Sequence, residues 1–596
     1  MCERKPTATI AALILVAWIG VGSAAEIKDH WGDFLHYAMI GRFDLAKAHA
    51  QAILDSPADP EALFSLAEAS PREYQILLRV RDAQSDPELA AVAGRVLALV
   101  EQGRRARRSD ANVVQEQVNR LLTTTTDRGR MLAIQQLRDS GEYSVPFLLD
   151  ALADPAREGG LDRIVDALSE LGASAVRPLG AAVQATDAAV RVEVVRALGK
   201  IRSLEVLPYL KYALELDKVD EVRSVAVLGI RQVDPAAMEQ SAAHLFFQSA
   251  QRYYSRVDSD RSGATGSEPT NVWLWDPNQQ RLACWSVDSR IFDELTAMRY
   301  CEWALRADGT FGPAIGLWVA SFFRAEAVGI PMPAYFGEGH AGAFVYATTA
   351  GPEYLHQALA RAIQDKDAAV ALGATEALIL TAGERSVFAA IGSMQPLLQA
   401  LTFEDRAVRT SAAIAVATAG PRGRLTESAV VVQNLADAVD LGAGSESPAD
   451  ANAVPYALRS AAAMLRLAEQ RNTSFDLSVA EAALAKAVRS GPTDLKVLAA
   501  EVLAYLGTSS AQQTIADVAL KADNDQDIRI AALGSLAVSA KIHGSLLADP
   551  AVDGLSSLVR SGDTPAELRA AAATAVGALS LPSSKVKGLI LDQARD

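Results

Sequence analysis

A chain of 596 residues, half of them hydrophobic and only 6% aromatic, holds far more apolar material than one core needs. Several domains or an elongated repeat array are therefore expected. The formal charge of −15 disfavours nucleic acid and anionic lipid as partners, because neutralising phosphates takes clustered Lys and Arg.

The chain opens on Arg4 and Lys5, the apolar run "ATIAALILVAWIGVG" and the small residues of "SAAE". These are the three parts of a secretory signal peptide over residues 1–25, with cleavage near Ala24 or Ala25. The expectation is an exported protein, periplasmic or extracellular, with no membrane contact after cleavage; an uncleaved anchor is the other reading. Residues 26–110 follow as an N-terminal helical region. In "FLHYAMIGRFDLAKAHAQAILDSPADP" the types at Phe34, Tyr37, Gly41, Ala46, Ala50 and Pro57 resemble a tetratricopeptide-type hairpin. The same residues also suit a helical pair that caps the end of a longer stack. The local run "RRARR", Arg104–Arg108, reads as a solvated helix face.

Residues 111–237 repeat. "IQQLRDSGEYSVPFLLDALAD", "VDALSELGASAVRPLGAAVQATD" and "VRALGKIRSLEVLPYLKYALELD" align, with Pro146, Pro178 and Pro208 at near-constant intervals. Each segment predicts an Ala/Leu-rich helix, a turn and a second helix opening near its proline, where a missing N–H does no harm. Asp154, Asp187 and Asp217 follow the second helix, and then a cation such as Arg191 or Arg223. A second array, residues 351–596, takes up the scheme with Pro396, Asp405 and Arg409, and later with Lys496, Arg529 and Arg569 ahead of alanine-rich helices. No such unit covers its own apolar face, so stability comes from stacking. A polar, acidic loop is expected over 440–455.

Proline, then aspartate, then arginine at these offsets resembles the HEAT-repeat family, including exported bacterial members. The resemblance covers most of 128–233 and 352–580. It implies a mainly α protein, a right-handed α-solenoid of HEAT-type helical hairpins in two arrays. It also implies that Asp187, Arg191, Asp405, Arg409 and their counterparts are structural residues linking neighbouring repeats.

Residues 238–350 break the rhythm and read as a small α+β insert rich in tryptophan. "NVWLW" and "RLACWSV" alternate across "DPNQQ", a β-hairpin pattern. The helix "RIFDELTAMRYCEWALRA" and a further helix from Pro313 complete the insert. Trp273, Trp275 and Trp285 offer indole faces that either stack on a sugar or peptide or fill the core. Cys284 and Cys301 either pair in an oxidising compartment or remain buried as small hydrophobes.

Other motifs carry less. Gly337, Gly339 and Gly342 in "GEGHAG" have dinucleotide-loop spacing, but the prolines of "GIPMPAY" spoil a preceding strand. The following "AFVYATTAG" reads as a short extended piece, with the next helix near Pro352. Glu338 and His340 make a poor metal pair, and the seven histidines are scattered. Asp258, Asp260, Ser262 and Gly263 imitate a calcium loop whose twelfth position is Pro269 rather than glutamate. No catalytic residues, cofactor or metal are expected.

The chain therefore reads as a non-enzymatic protein-interaction scaffold or adaptor, with protein partners and no small-molecule substrate. A carbohydrate- or cell-wall-binding role through the tryptophans is the alternative. A HEAT-type lyase-like enzyme of the bilin lyase kind is a further one, at odds with export.

Overall fold

The computed structural model describes residues 26–56, 59–83, 86–154, 156, 160–260, 270–444 and 452–593. Residues 1–25, expected to be a signal segment, Pro57 and the calcium-like positions Ser262, Gly263 and Pro269 lie outside them. Asp258 and Asp260 belong to the end of the helix Ala242–Asp260. Among the described residues almost all regular structure is helical, and the sheet is a single two-stranded one, β1 (Thr270–Asp276) and β2 (Arg281–Val287). The chain divides into two compact units, Met1–Ala242 with Asn271–Trp285, and Ala243–Thr270 with Ser286–Asp596.

The first unit begins with helices at 26–39, Phe43–Asp55, Pro60–Ala69, Pro71–Arg81 and Pro87–Ser109. Local chemistry sets their starts. Proline opens three of them, and the Asp59 and Asp86 side chains accept the orphan N–H groups of Glu61 and Leu89. Trp31, Phe34, Ala46, Ala50, Leu63, Leu77 and Val96 join one buried cluster. Phe34, Ala46 and Ala50 of the tetratricopeptide-like set thus share a core, Tyr37 packs against it, and the exposed Gly41 turns the chain at φ 73°. Gly103 lets the long helix lie directly on the Pro60 carbonyl, where any β-carbon would collide.

Stacked hairpins follow from Ala111 to Val233, and in them the repeat residues do recurrent jobs. Asp187 caps the helix Ala188–Lys200 by accepting from the Ala189 N–H at 2.8 Å. Four residues on, Arg191 folds back so that Nη1 donates to the Ala185 and Thr186 carbonyls at 2.9 Å each. Its other edge donates to both Asp217 oxygens, at 2.7 and 3.0 Å, which ties one repeat to the next. Arg223 repeats the backward reach, to the Asp217 carbonyl at 2.8 Å, and pairs with Asp220. At Gly199 the helix meets Gly229 of the next repeat so closely that a β-carbon would sit 2.8 Å from Gly229 Cα.

The prolines are less uniform than expected. Pro208 is the second residue of the helix Leu207–Leu216, and Pro146 the third of Ser144–Leu152. Pro178, however, lies inside Ala173–Ala182 rather than at its start. Gly172, at φ 62°, turns the chain one residue before that helix begins, so helical geometry is established upstream of the proline.

The second unit starts with the helices Ala242–Asp260, Phe292–Ala307 and Pro313–Ala327, whose Phe246, Tyr300, Trp303 and Phe322 are buried. Phe246 stacks on Trp303 with ring centroids 5.5 Å apart. The expected single insert at 238–350 is thus divided: its hairpin clusters with the first unit, and its helices with the second. Arg324 does here what Arg191 does above. It donates to Asp367 at 2.8 Å and to the Tyr254 carbonyl at 2.9 Å, and lies 3.7 Å over the Tyr254 ring. Asp367 in turn caps the helix Ala368–Thr381 through the Val370 N–H.

Hairpins continue from Pro352 to Gln593. Pro396 opens the short helix Pro396–Gln399. Asp405 caps Arg406–Ala419, and Arg409 Nη1 reaches back to the Phe403 and Glu404 carbonyls at 2.7 and 2.8 Å. Arg529 donates to the Ala519 carbonyl, and Arg569 to those of Gly562 and Thr564. The expected acidic loop begins later than the sequence suggested. Asp440–Gly444 is the end of the helix Ser428–Gly444, and Ala453–Pro455 opens Ala453–Glu469. Burial of Leu435, Val439 and Ala443 extends the first helix, and Gly442 lets it touch Ala457.

Candidate functional site: the cleft under the hairpin

Within the first unit the β-hairpin is seated on the repeats. Asn271, Trp273 and Trp275 alternate along β1 and so share a face. That face meets Glu142, in the 3-10 turn Gly141–Tyr143. Glu142 accepts from Asn271 Nδ2 and from the Trp273 indole N–H, at 2.8 Å each, and lies 3.5 Å from Arg177. The Tyr143 and Trp273 rings pack edge to face, with centroids 6.3 Å apart. At the turn, Asp276 accepts from the Asn278 and Gln279 N–H groups, and Gln280 Oε1 accepts from the Thr186 N–H at 3.2 Å.

Trp273 is 6% exposed, so it is a packing residue and has no free face for a ligand. Trp275 is different. It lines a cavity of about 500 Å³ together with Pro146, Asp150, Asp187, Gln280 and Arg281, and its buried indole N–H has no partner. Burial holds the Asp150 carboxyl above the usual range, against the opposing charge of Arg281. Trp285, on β2, is 37% exposed. The three tryptophans therefore do not form one platform: Trp273 anchors, Trp275 lines the cleft and Trp285 faces outward.

No disulfide joins Cys284 and Cys301, whose thiols are both free. Cys301 is fully buried, which pushes its thiol far up. Cys284 is exposed as a residue, yet partial burial of its sulfur, and then the Glu142 charge, push it up to about 11. Burial thus disfavours the thiolate form at both positions.

The glycine motif acquires a helix that the sequence reading missed. Ala343–Ala350 is helical and starts directly after Gly342, while Gly337 and Gly339 take φ of 89° and 71°. The Glu326 carboxylate accepts from the Ala343 N–H at 2.9 Å, so the helix terminus is already satisfied by an anion of the chain itself. No strand precedes it, and the dinucleotide reading fails on structure as well. Among the described residues no three or more His, Cys, Asp or Glu side chains gather as a metal site. Folding does bring two of the scattered histidines together, His30 and His49, with Nδ1 atoms 3.0 Å apart.

These features define a helical repeat protein with a small docked hairpin. The family model for HEAT repeats matches residues 161–231, which contain Pro178, Asp187, Arg191, Pro208, Asp217 and Arg223. No curated protein sequence matches the chain. Among solved structures it is similar to an engineered protein, at 18% identity over 79% of this chain and 99% of that one, with a TM-score of 0.29. It is also similar to yeast importin-beta, Kap95p, at 14% identity over 96% of this chain and 70% of that one, with a TM-score of 0.28. A crystal structure of importin beta in ammonium sulfate gives 12% identity over 96% and 71%, with a TM-score of 0.28.

Proposed function

We propose that the protein is an exported, non-enzymatic scaffold whose helical repeats hold a protein partner. The observation that carries this reading is the run of HEAT repeats at 161–231, in which the residues that stack the hairpins are consumed internally. What the repeats leave outward is a recognition surface. On the helix Asp220–Val233, Glu221, Ser224, Leu228 and Arg231 fall on one exposed face, and Leu228 is 65% exposed. In this reading Leu228 is the apolar centre of the contact and Glu221 and Arg231 are its polar rim. Export rests on the tripartite leader of residues 1–25.

Crosslinking with mass spectrometry in the native compartment tests the reading. A partner crosslinked to the 161–231 repeats, and released when Glu221→Lys and Arg231→Glu are combined, is expected. Crosslinks unaffected by the double change, or absent, count against it.

The cleft beside Trp275 supports a second reading, a small polar ligand such as a sugar stacked on the indole. Titration with soluble glycans should then change tryptophan fluorescence in the native chain but not in Trp275→Ala.

A further inference from the structure

The arginine run Arg104–Arg108 is solvated at Arg105 and Arg108, as its sequence suggests, but it also borders a cavity. Its helix forms one wall of a second cavity in the first unit, of about 620 Å³, a size that suits a drug-sized ligand or a few residues of peptide. Arg104 is half-buried over the rings of Phe64 and Tyr74, at 5.7 and 5.3 Å from their centroids. Arg107 pairs with Glu68 at 2.8 Å. Two further lining arginines, Arg108 and Arg138, come from different helices and are exposed, and no hydrogen bond or ion pair among the described residues engages either guanidinium. Arg108 Nη2 sits beside Gly141, 3.0 Å from where a β-carbon would stand there.

A second, independent feature points inward. Gln117 lines the same cavity and is 7% exposed, yet its buried carboxamide oxygen accepts no hydrogen bond. A buried acceptor left without a donor costs free energy, and a ligand N–H recovers it.

From this geometry we infer that the cavity is a binding site for an acidic peptide segment. The uncommitted guanidinium groups of Arg108 and Arg138 take its carboxylates as charge-assisted, bidentate hydrogen bonds. The Phe64 and Tyr74 rings pack against an apolar side chain, and Gln117 Oε1 accepts a main-chain N–H. Inorganic phosphate or a free dicarboxylate satisfies the arginines alone, offering neither the N–H nor the apolar group. The cavity stands apart from the Asp220–Val233 face, so this inference and the repeat-surface reading fail separately.

The test is calorimetric titration of the full chain with an acetylated, amidated octapeptide of alternating Glu and Leu. Binding is expected, with at least a tenfold loss for Arg108→Glu combined with Arg138→Glu, and a smaller loss for Gln117→Leu. Because neither arginine is paired, circular dichroism and melting of the double variant should match the native chain. Reversing Arg202 and Arg424 instead, which are exposed and do not line the cavity, controls for net charge and should leave affinity within twofold. The inference is overturned by absence of binding or by equal binding of the Gln-for-Glu peptide. It is also overturned by equal losses in the control variant, or by displacement of the peptide with equimolar phosphate or succinate.

Discussion

Replacing Arg191 with alanine is the sharpest probe of how one repeat holds the next. The guanidinium makes two hydrogen bonds to the Asp217 carboxylate and two to the Ala185 and Thr186 carbonyls. Its side chain is 16% exposed and that of Asp217 only 9%. Arg191→Ala therefore leaves a largely desolvated carboxylate with the Val219 N–H and the charge of Arg223 for compensation. Removing one member of a buried pair costs about 3–5 kcal/mol, and residual solvent access at this site brings the expectation to about 2–3 kcal/mol. Arg409→Ala supplies an internal comparison, because Arg409 makes the same two backward carbonyl bonds without a carboxylate partner of this kind. Its cost should stay near about 1–2 kcal/mol. Since so long a chain need not unfold in one step, the assay is amide hydrogen exchange resolved by peptide. Protection of Ala188–Lys200 and Asp220–Val233 should fall roughly 100-fold in Arg191→Ala, the equivalent of about 2.7 kcal/mol. Unchanged protection of Asp220–Val233, or an equal local effect of Arg409→Ala at its own helix, refutes the inter-repeat role.

Acid should loosen the second array through His356, which is 1% exposed, bonded through Nε2 to Ser386 Oγ at 2.9 Å and unpartnered at Nδ1. Burial lowers its pKa from 6.5 to about 4, so the folded state binds the proton less readily than the unfolded one. The stabilisation is full above pH 6.5 and is lost as pH falls from 6.5 towards 4, by up to roughly 3 kcal/mol, so the protection factor of Pro352–Asp365, taken relative to the intrinsic exchange rate at each pH, should fall between pH 7 and 5 in the native chain and stay flat in His356→Leu. At Asp217, burial alone raises the carboxyl pKa, but the Arg191 and Val219 hydrogen bonds outweigh it and the net shift is downward. That contribution is present above the ordinary carboxylate range and lost only as pH falls through the lowered value, below the His356 window. Gly199→Ala should cost about 1–3 kcal/mol by overpacking against Gly229 Cα, whereas alanine at the unobstructed helical Gly534 should stabilise slightly, as paired thermal melts can show. Trp273→Phe removes one hydrogen bond to Glu142 and should lower stability by about 1 kcal/mol without altering any partner crosslink.

The helical character and the repeat were legible from the residues alone. Alanine- and leucine-rich periods need stacking partners, and an aspartate before a helix with an arginine four residues on does local capping work, to which Arg191 adds its bonds to Asp217 of the next repeat. Asp187 with Arg191, and Asp405 with Arg409, accordingly do that work within six residues of chain. What spans many residues was illegible. Nothing in "SGEYSVP" marks Glu142 as the acceptor for Asn271 and Trp273, about 130 positions away, and nothing marks Arg324 as the partner of Asp367. Tertiary structure alone decided that Trp273 is an anchor while Trp275 lines a cleft, though both share a strand face. It also made the charged helix face "RRARR" one side of a cavity, because the Pro60–Ala69 and Pro71–Arg81 helices bring Phe64 and Tyr74 beneath Arg104. The physical reason is common to all of these. Helix propensity and capping act over one or two turns, while the environment of a charge or an indole is set by whichever surfaces folding brings against it.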